Sequence, residues 1–280
     1  MEERADRPAF HVATETEPSS TVVAGFSQFG LAGLTAADYL VDHLELERTG
    51  HIRTEGLPTI TPFENGRPRY PTRLFSRPDL DVSVLVGELF VPNTLAEPFS
   101  RAILDWTEEG GVEEVAVLSG VPFAHGPDEH RAFYIASDDY REAHSPALAA
   151  AAPDPTADGA ADSSAADDDP GTDPATGPAT DPAIPPMGNG FLDGTNAALM
   201  ARGMESDLGV GVFVTPVHAQ APDVEAALRL VEAIDRVYGL GVDTGPLEAF
   251  AGEVGEHYRG LAERLDDQRE EDQPLDRMYM

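Results

Sequence analysis

Hydrophobic residues in this chain form two kinds of run, short continuous ones and longer periodic ones, and the two alternate. Thr21–Gly25, Asp81–Gly87, Val112–Ser119 and Leu208–Thr215 are short, rich in valine and leucine, and bounded by turn residues. That is the pattern of strands buried on both faces. After the first of them, Leu34, Ala37, Leu40, Val41 and Leu44 recur at helical spacing and predict a helix from about Leu34 to Leu46. A second helix is expected from Asn93 or Thr94, each able to cap it, to Glu109, where Gly110-Gly111 stops it. A third leads from Gly188-Asn-Gly190-Phe-Leu-Asp-Gly194 to about Glu205. Pro222 opens a fourth, running to about Tyr238 with Val224, Ala227, Leu228, Val231 and Ile234 on one face, and a last helical region spans about Gly245 to Arg269.

Between the first helix and the second strand lies a Pro-rich stretch, Ile52 to Ser76, whose Asn65-Gly66 pair predicts a hairpin. Strands alternating with helices predict a three-layer α/β/α sandwich around an open, mostly parallel sheet. One segment breaks the pattern. From Ser145 to Pro186 the chain is almost entirely Ala, Asp, Pro, Gly and Thr, without a basic or aromatic residue. It has too little apolar surface to offset the entropy of ordering and is expected to be a disordered acidic loop. The expected organisation is an N-terminal extension (1–20), one α/β domain (21–258) interrupted by that loop (145–186), and a helix end with a flexible tail (259–280).

Charge changes the picture most. Of 280 residues, 51 are acidic and 18 basic, a formal net charge of -33, and every basic residue is arginine. Such a surface repels phosphate backbones and anionic lipid, so neither nucleic acid nor a membrane is an expected partner. Self-repulsion is relieved by salt, whose screening length falls from about 10 Å at 0.1 M to about 3 Å at 1 M. A salt-adapted, archaeal source is the natural expectation, to be checked by loss of the fold in low-salt buffer. With no cysteine there is no disulfide framework and no thiolate chemistry. The charged start, MEERADRPAF, does not read as a signal peptide, and a cytoplasmic protein is expected.

Candidate chemistry is sparse. Gly25, Gly30 and Gly33 stand between a strand and a helix, where amides can cradle a phosphate, but the spacing is neither a dinucleotide fingerprint nor a P-loop. Glycines at such a turn are commonly a matter of close packing. A second cluster, Gly188, Gly190 and Gly194, reads the same way. With Phe26, the two turns could still line one crevice for a small ligand. His125-Gly-Pro-Asp128-Glu129-His130 brings two histidines and carboxylates together, yet Gly-Pro argues for a turn and an exposed polar loop. No metal site or other cofactor is expected. Ser27 and Ser119 have no identifiable base, and Trp106, beside Ile103 on a predicted inner face, reads as core. The last residues differ: a polar stretch gives way to Met278-Tyr279-Met280. A tyrosine between two methionines suits a peptide anchor for an apolar groove, with the terminal carboxylate for a basic pocket. By chance, a hydrophobic-Tyr-any ending arises on the order of 1% of the time.

The Gly25-Phe26 turn with Gly30 and Gly33, the Trp106 helix leading into Val112–Gly120, Gly190-Phe191-Leu192 with Gly194, and the Pro222-Asp223 helix start follow one another in an order that resembles a known family. It is that of the archaeal, here haloarchaeal-type, proteasome assembly chaperones, related to one subunit of the eukaryotic chaperone heterodimer. The resemblance covers roughly 21–144 and 187–258. It implies a nucleoside-phosphorylase-like α/β/α fold, no enzymatic activity and a homo-oligomer. Some archaeal relatives end in a hydrophobic-Tyr-any motif that, in proteasome activators, inserts between α-subunits of the core particle. Met278, Tyr279 and Met280 match it position by position. The acidic insertion and the lack of lysine depart from the family pattern. The expected function is therefore a proteasome assembly chaperone or proteasome-binding adaptor docking on the α-ring through its tail. The alternative is a small-molecule-binding or nucleoside-processing enzyme of phosphorylase-like fold.

Overall fold

Four strands supply the centre of the molecule: β2 (Thr21–Phe26), β7 (Val82–Gly87), β8 (Glu114–Val121) and β10 (Gly209–Pro216). They lie parallel in the order β7-β2-β8-β10. The computed structural model describes residues 9–55, 60–123, 130–149, 183–218 and 222–254. Successive residues of β2 serve opposite sides of the sheet, as the pleat requires: Val23 joins one core, Val22 and Ala24 the other. On the first side α1 (Ala32–His43) and α5 (Val224–Tyr238) cover Val84, Leu118 and Phe213 with Leu40 and Ile234. On the second, α2 (Ala96–Glu109) and α4 (Gly194–Glu205) bring Phe99, Ile103, Trp106 and Leu199 against Val115 and Val212. This is the α/β/α sandwich expected, with Trp106 in the core.

The flanks are antiparallel. β1 (Ala9–Thr14), β3 (Glu47–Glu55) and β6 (Thr72–Ser76) extend the sheet beyond β7, and β9 (Phe133–Ala136) closes it beyond β10. The full order is β1-β3-β6-β7-β2-β8-β10-β9. Part of the predicted N-terminal extension therefore forms the edge strand β1. The Asn65-Gly66 hairpin joins β4 (Phe63–Glu64) to β5 (Arg67–Pro68), with φ of 49° and 75° at its two central residues. Two successive positive φ values are the mark of a type I′ turn.

The start of α2 is a correction. Neither Asn93 nor Thr94 caps it: the chain enters through a 3-10 turn, Asn93–Leu95, that follows Pro92. The Asn93 amide is used elsewhere, donating to Asp193 Oδ2 at 3.1 Å. The side-chain cap forms at α5 instead, where Asp223 Oδ1 accepts from the Ala226 N–H at 3.1 Å. Both ends of the predicted acidic loop are anchored. Leu148 and Ile184 are buried, the Ala149 N–H donates to the Ile184 carbonyl at 2.8 Å, and the Ile184 N–H to that of Ala147 at 2.9 Å. Residues 150–182 lie outside the described residues. So do residues 255–269 of the predicted last helical region, whose described part begins at Gly245. Among the described residues no helix is long and apolar enough to cross a membrane.

Candidate functional site

The connections of β2 and β8, neighbours at the centre, diverge. After β2 the chain builds β3, β6 and β7 on one side; after β8 it builds β9 and β10 on the other. Where adjacent parallel strands send their connections apart, their carboxyl ends leave a crevice between the loops. Here it has a volume of about 980 Å³. Phe26 at the end of β2, Phe29 in the turn that follows, Phe90 after β7, Phe123 after β8 and Phe191 before α4 line it. Phe29, Phe90, Phe123 and Phe191 are 52%, 67%, 64% and 96% exposed, an aromatic rim far more open than a core tolerates.

The floor is polar and uncharged. Ser119, at the end of β8, donates to Gln28 Oε1 at 2.7 Å. Asn196, in the first turn of α4, donates from Nδ2 to Ser119 Oγ at 3.0 Å and to Gln28 Oε1 at 3.2 Å. Gln28 reaches back from Nε2 to Asn196 Oδ1 at 3.4 Å. Ser119 thus spends its hydroxyl on amides rather than on a base. Asp193 is the one ionisable side chain among the described residues lining the crevice. Such a site suits recognition of an apolar or aromatic surface better than acid–base catalysis.

Of the crevice residues expected from the sequence, Phe26, Gly190 and Gly194 line it. Gly25, Gly30 and Gly33 sit behind its wall. A Cβ on Gly25 would come within 2.0 Å of the Gly33 carbonyl oxygen, and one on Gly33 within 2.0 Å of the Leu118 carbonyl oxygen. Gly30, at φ 64°, faces the Val217 side chain. Gly188 has open space where a side chain would stand. Met278, Tyr279 and Met280 lie outside the described residues.

A second polar cluster forms at the same edge of the sheet, and it corrects the reading of His130 as part of an exposed loop. His130 is buried, because β9 carries the residues before it toward the start of α5. Its Nε2 lies 3.2 Å from Asp223 Oδ2, and His218 Nδ1 lies 2.9 Å from the same oxygen. The His218 N–H donates to that oxygen at 2.9 Å. Burial pushes the Asp223 carboxyl up, but the hydrogen bonds from His130, the backbone of His218 and Ala226, and the His218 ring outweigh it and hold the group well below the usual carboxylate range. The Asp223 N–H donates to the Gly30 carbonyl at 2.8 Å, so the cluster braces the turn behind the crevice. Nothing in the local sequence pairs His218 with Asp223. The Pro222-Asp223 helix start, with a histidine five residues before the acid, was the available signal.

None of the curated proteins searched matches this sequence. Solved structures do share the fold. An archaeal homolog of proteasome-assembly chaperone from Pyrococcus furiosus, PbaA, superposes with a TM-score of 0.71 at 18% identity, covering 94% of this chain and 95% of that one. PbaB of the same organism, an archaeal proteasome activator, gives 0.68 at 16% identity, covering 91% and 99%. A Thermoplasma acidophilum protein of unknown function gives 0.65 at 20% identity, covering 91% and 90%. The model of the PAC2 family matches residues 22–262, and on that match, across most of its length, this chain belongs to the PAC2 family.

Proposed function

We propose that this protein is a proteasome assembly chaperone-like factor, or an adaptor of the proteasome core, that works by binding and not by catalysis. The observation that carries the reading is the PAC2 family match over residues 22–262. It is supported by the fold shared with a P. furiosus homolog of proteasome-assembly chaperone and a P. furiosus proteasome activator. The finer part of the proposal concerns the tail. Met278 and Tyr279 fill an apolar groove between α-subunits of the core, with Met280 beside a cation there. As a homo-oligomer the protein would offer several tails at once, and avidity can exceed single-tail affinity by roughly 10²–10⁴. A pull-down of core proteasome in high salt, by the intact chain and by one lacking Met278–Met280, tests this. Capture lost on truncation supports the tail; equal capture by both moves docking to the folded domain, and capture by neither removes the proposal.

One observation favours a second reading. The amide floor and aromatic rim of the crevice offer stacking surfaces and paired donors and acceptors, which fit a planar neutral ligand such as a nucleoside. Incubation with a nucleoside panel, with and without phosphate, separates binding from turnover. Neither binding nor product would sink this reading.

A further inference from the structure

We infer that His130, His218 and Asp223 form a binding site for a divalent metal ion of the zinc class. The three residues come from the segment before β9, the loop after β10 and the cap of α5, and each offers one donor atom to the cluster. Their donor atoms all lie within 4.8 Å of one another. Asp223 Oδ2 stands 2.9 Å from His218 Nδ1 and 3.2 Å from His130 Nε2. Tetrahedral zinc with bonds of about 2.0–2.1 Å holds its ligand atoms about 3.3 Å apart. The two carboxylate–imidazole separations therefore need to open by only a few tenths of an ångström, with the two ring nitrogens already within 4.8 Å of each other.

The surroundings are built to present these atoms. The other oxygen of Asp223 is committed to the Ala226 N–H, which fixes the carboxylate plane and leaves Oδ2 facing the imidazoles. His130 and Asp223 side chains are 3% and 5% exposed, so neither swings freely. Behind His130, Glu225 Oε2 lies 3.9 Å from Nδ1. At that distance the carboxylate supports the ring electrostatically without a hydrogen bond, and metal binding requires Nε2 to give up the proton it shares with Asp223. The His218 side chain is 61% exposed and supplies both the path for entry and the freedom to adjust.

The donor set selects the ion. Two imidazole nitrogens and one carboxylate oxygen suit zinc and its neighbours, whereas magnesium and calcium take mainly oxygen donors. This matters on a chain of net charge -33, whose surface carboxylates attract hard cations generally. Binding would clamp the segment before β9, the loop after β10 and the cap of α5 to one another.

The test uses the full-length protein, stripped with chelator and held in potassium chloride with excess magnesium to occupy surface carboxylates. Zinc chloride is titrated by calorimetry, thermal unfolding is followed in parallel, and cobalt is substituted to read its visible ligand-field bands. The expected result is one zinc per chain, a raised unfolding temperature, and cobalt bands that saturate at the same ratio. His218→Ala, at an exposed ring, keeps the fold by circular dichroism and weakens binding beyond the roughly 10–100-fold that loss of an outer-shell partner causes. His11→Ala, at an exposed histidine of β1, binds as the intact chain does. No saturable binding, equal affinity in His218→Ala, or equal loss in His11→Ala would overturn the site and leave the cluster a hydrogen-bonded helix cap.

Discussion

The two glycine-rich turns that look alike in the sequence do opposite things in the structure. Gly25 and Gly33 let α1 lie so close to β2 and β8 that backbone carbonyls occupy the space of the missing side chains, and Gly30, at φ 64°, is closed in by the Val217 side chain. Gly188 and Gly190 face open space, and Gly194 alone in the second turn is constrained, at φ 56° with Asn93 Oδ1 3.0 Å from a would-be Cβ. The first turn is a packing device that builds the rear wall of the crevice. The second is an exposed approach that carries Phe191 to its rim. Glycine count and spacing cannot separate the two roles, because the difference lies in what other segments bring against each position.

That contrast can be broken by alanine, measured by denaturant unfolding in high salt. Gly33→Ala should have the largest effect, about 3 kcal/mol or loss of the fold, because a backbone carbonyl cannot move aside as a side chain can. A cost below about 1 kcal/mol would mean that the helix-to-strand approach is not tight. Gly194→Ala should cost about 1 kcal/mol, set by its left-handed backbone. Gly190→Ala should stay within about 0.5 kcal/mol, as at an ordinary surface position. If Gly190→Ala destabilised as much as Gly33→Ala, the assignment of roles would be reversed.

The same physical distinction decides which elements are legible in the sequence. The central strands show in the sequence because burial on both faces demands continuous apolar runs such as Val82–Val86. β3 does not: in Glu47–Glu55 only Gly50 and Ile52 are buried, and the rest is charged or polar. β6 is hidden by Arg73, a charged residue that is buried because Glu88 lies 3.3 Å away. The amide floor was invisible for a different reason. Gln28 and Asn196 are 168 residues apart, and nothing local to either announces the other. The histidine–aspartate cluster likewise joins residues 93 apart, of which only the helix start at Asp223 left a local trace.

The central functional claim is that the tail, and not the aromatic rim of the crevice, binds the proteasome core. The most direct test compares the affinity of Tyr279→Ala and Phe191→Ala for core particles, both at high salt, against the intact chain. Truncating a buried aromatic anchor at an interface costs about 2 kcal/mol or more. The account predicts a loss of about 30-fold or greater for Tyr279→Ala and a change within about twofold for Phe191→Ala. Intact affinity in Tyr279→Ala with a large loss in Phe191→Ala would contradict it and place the docking surface on the folded domain.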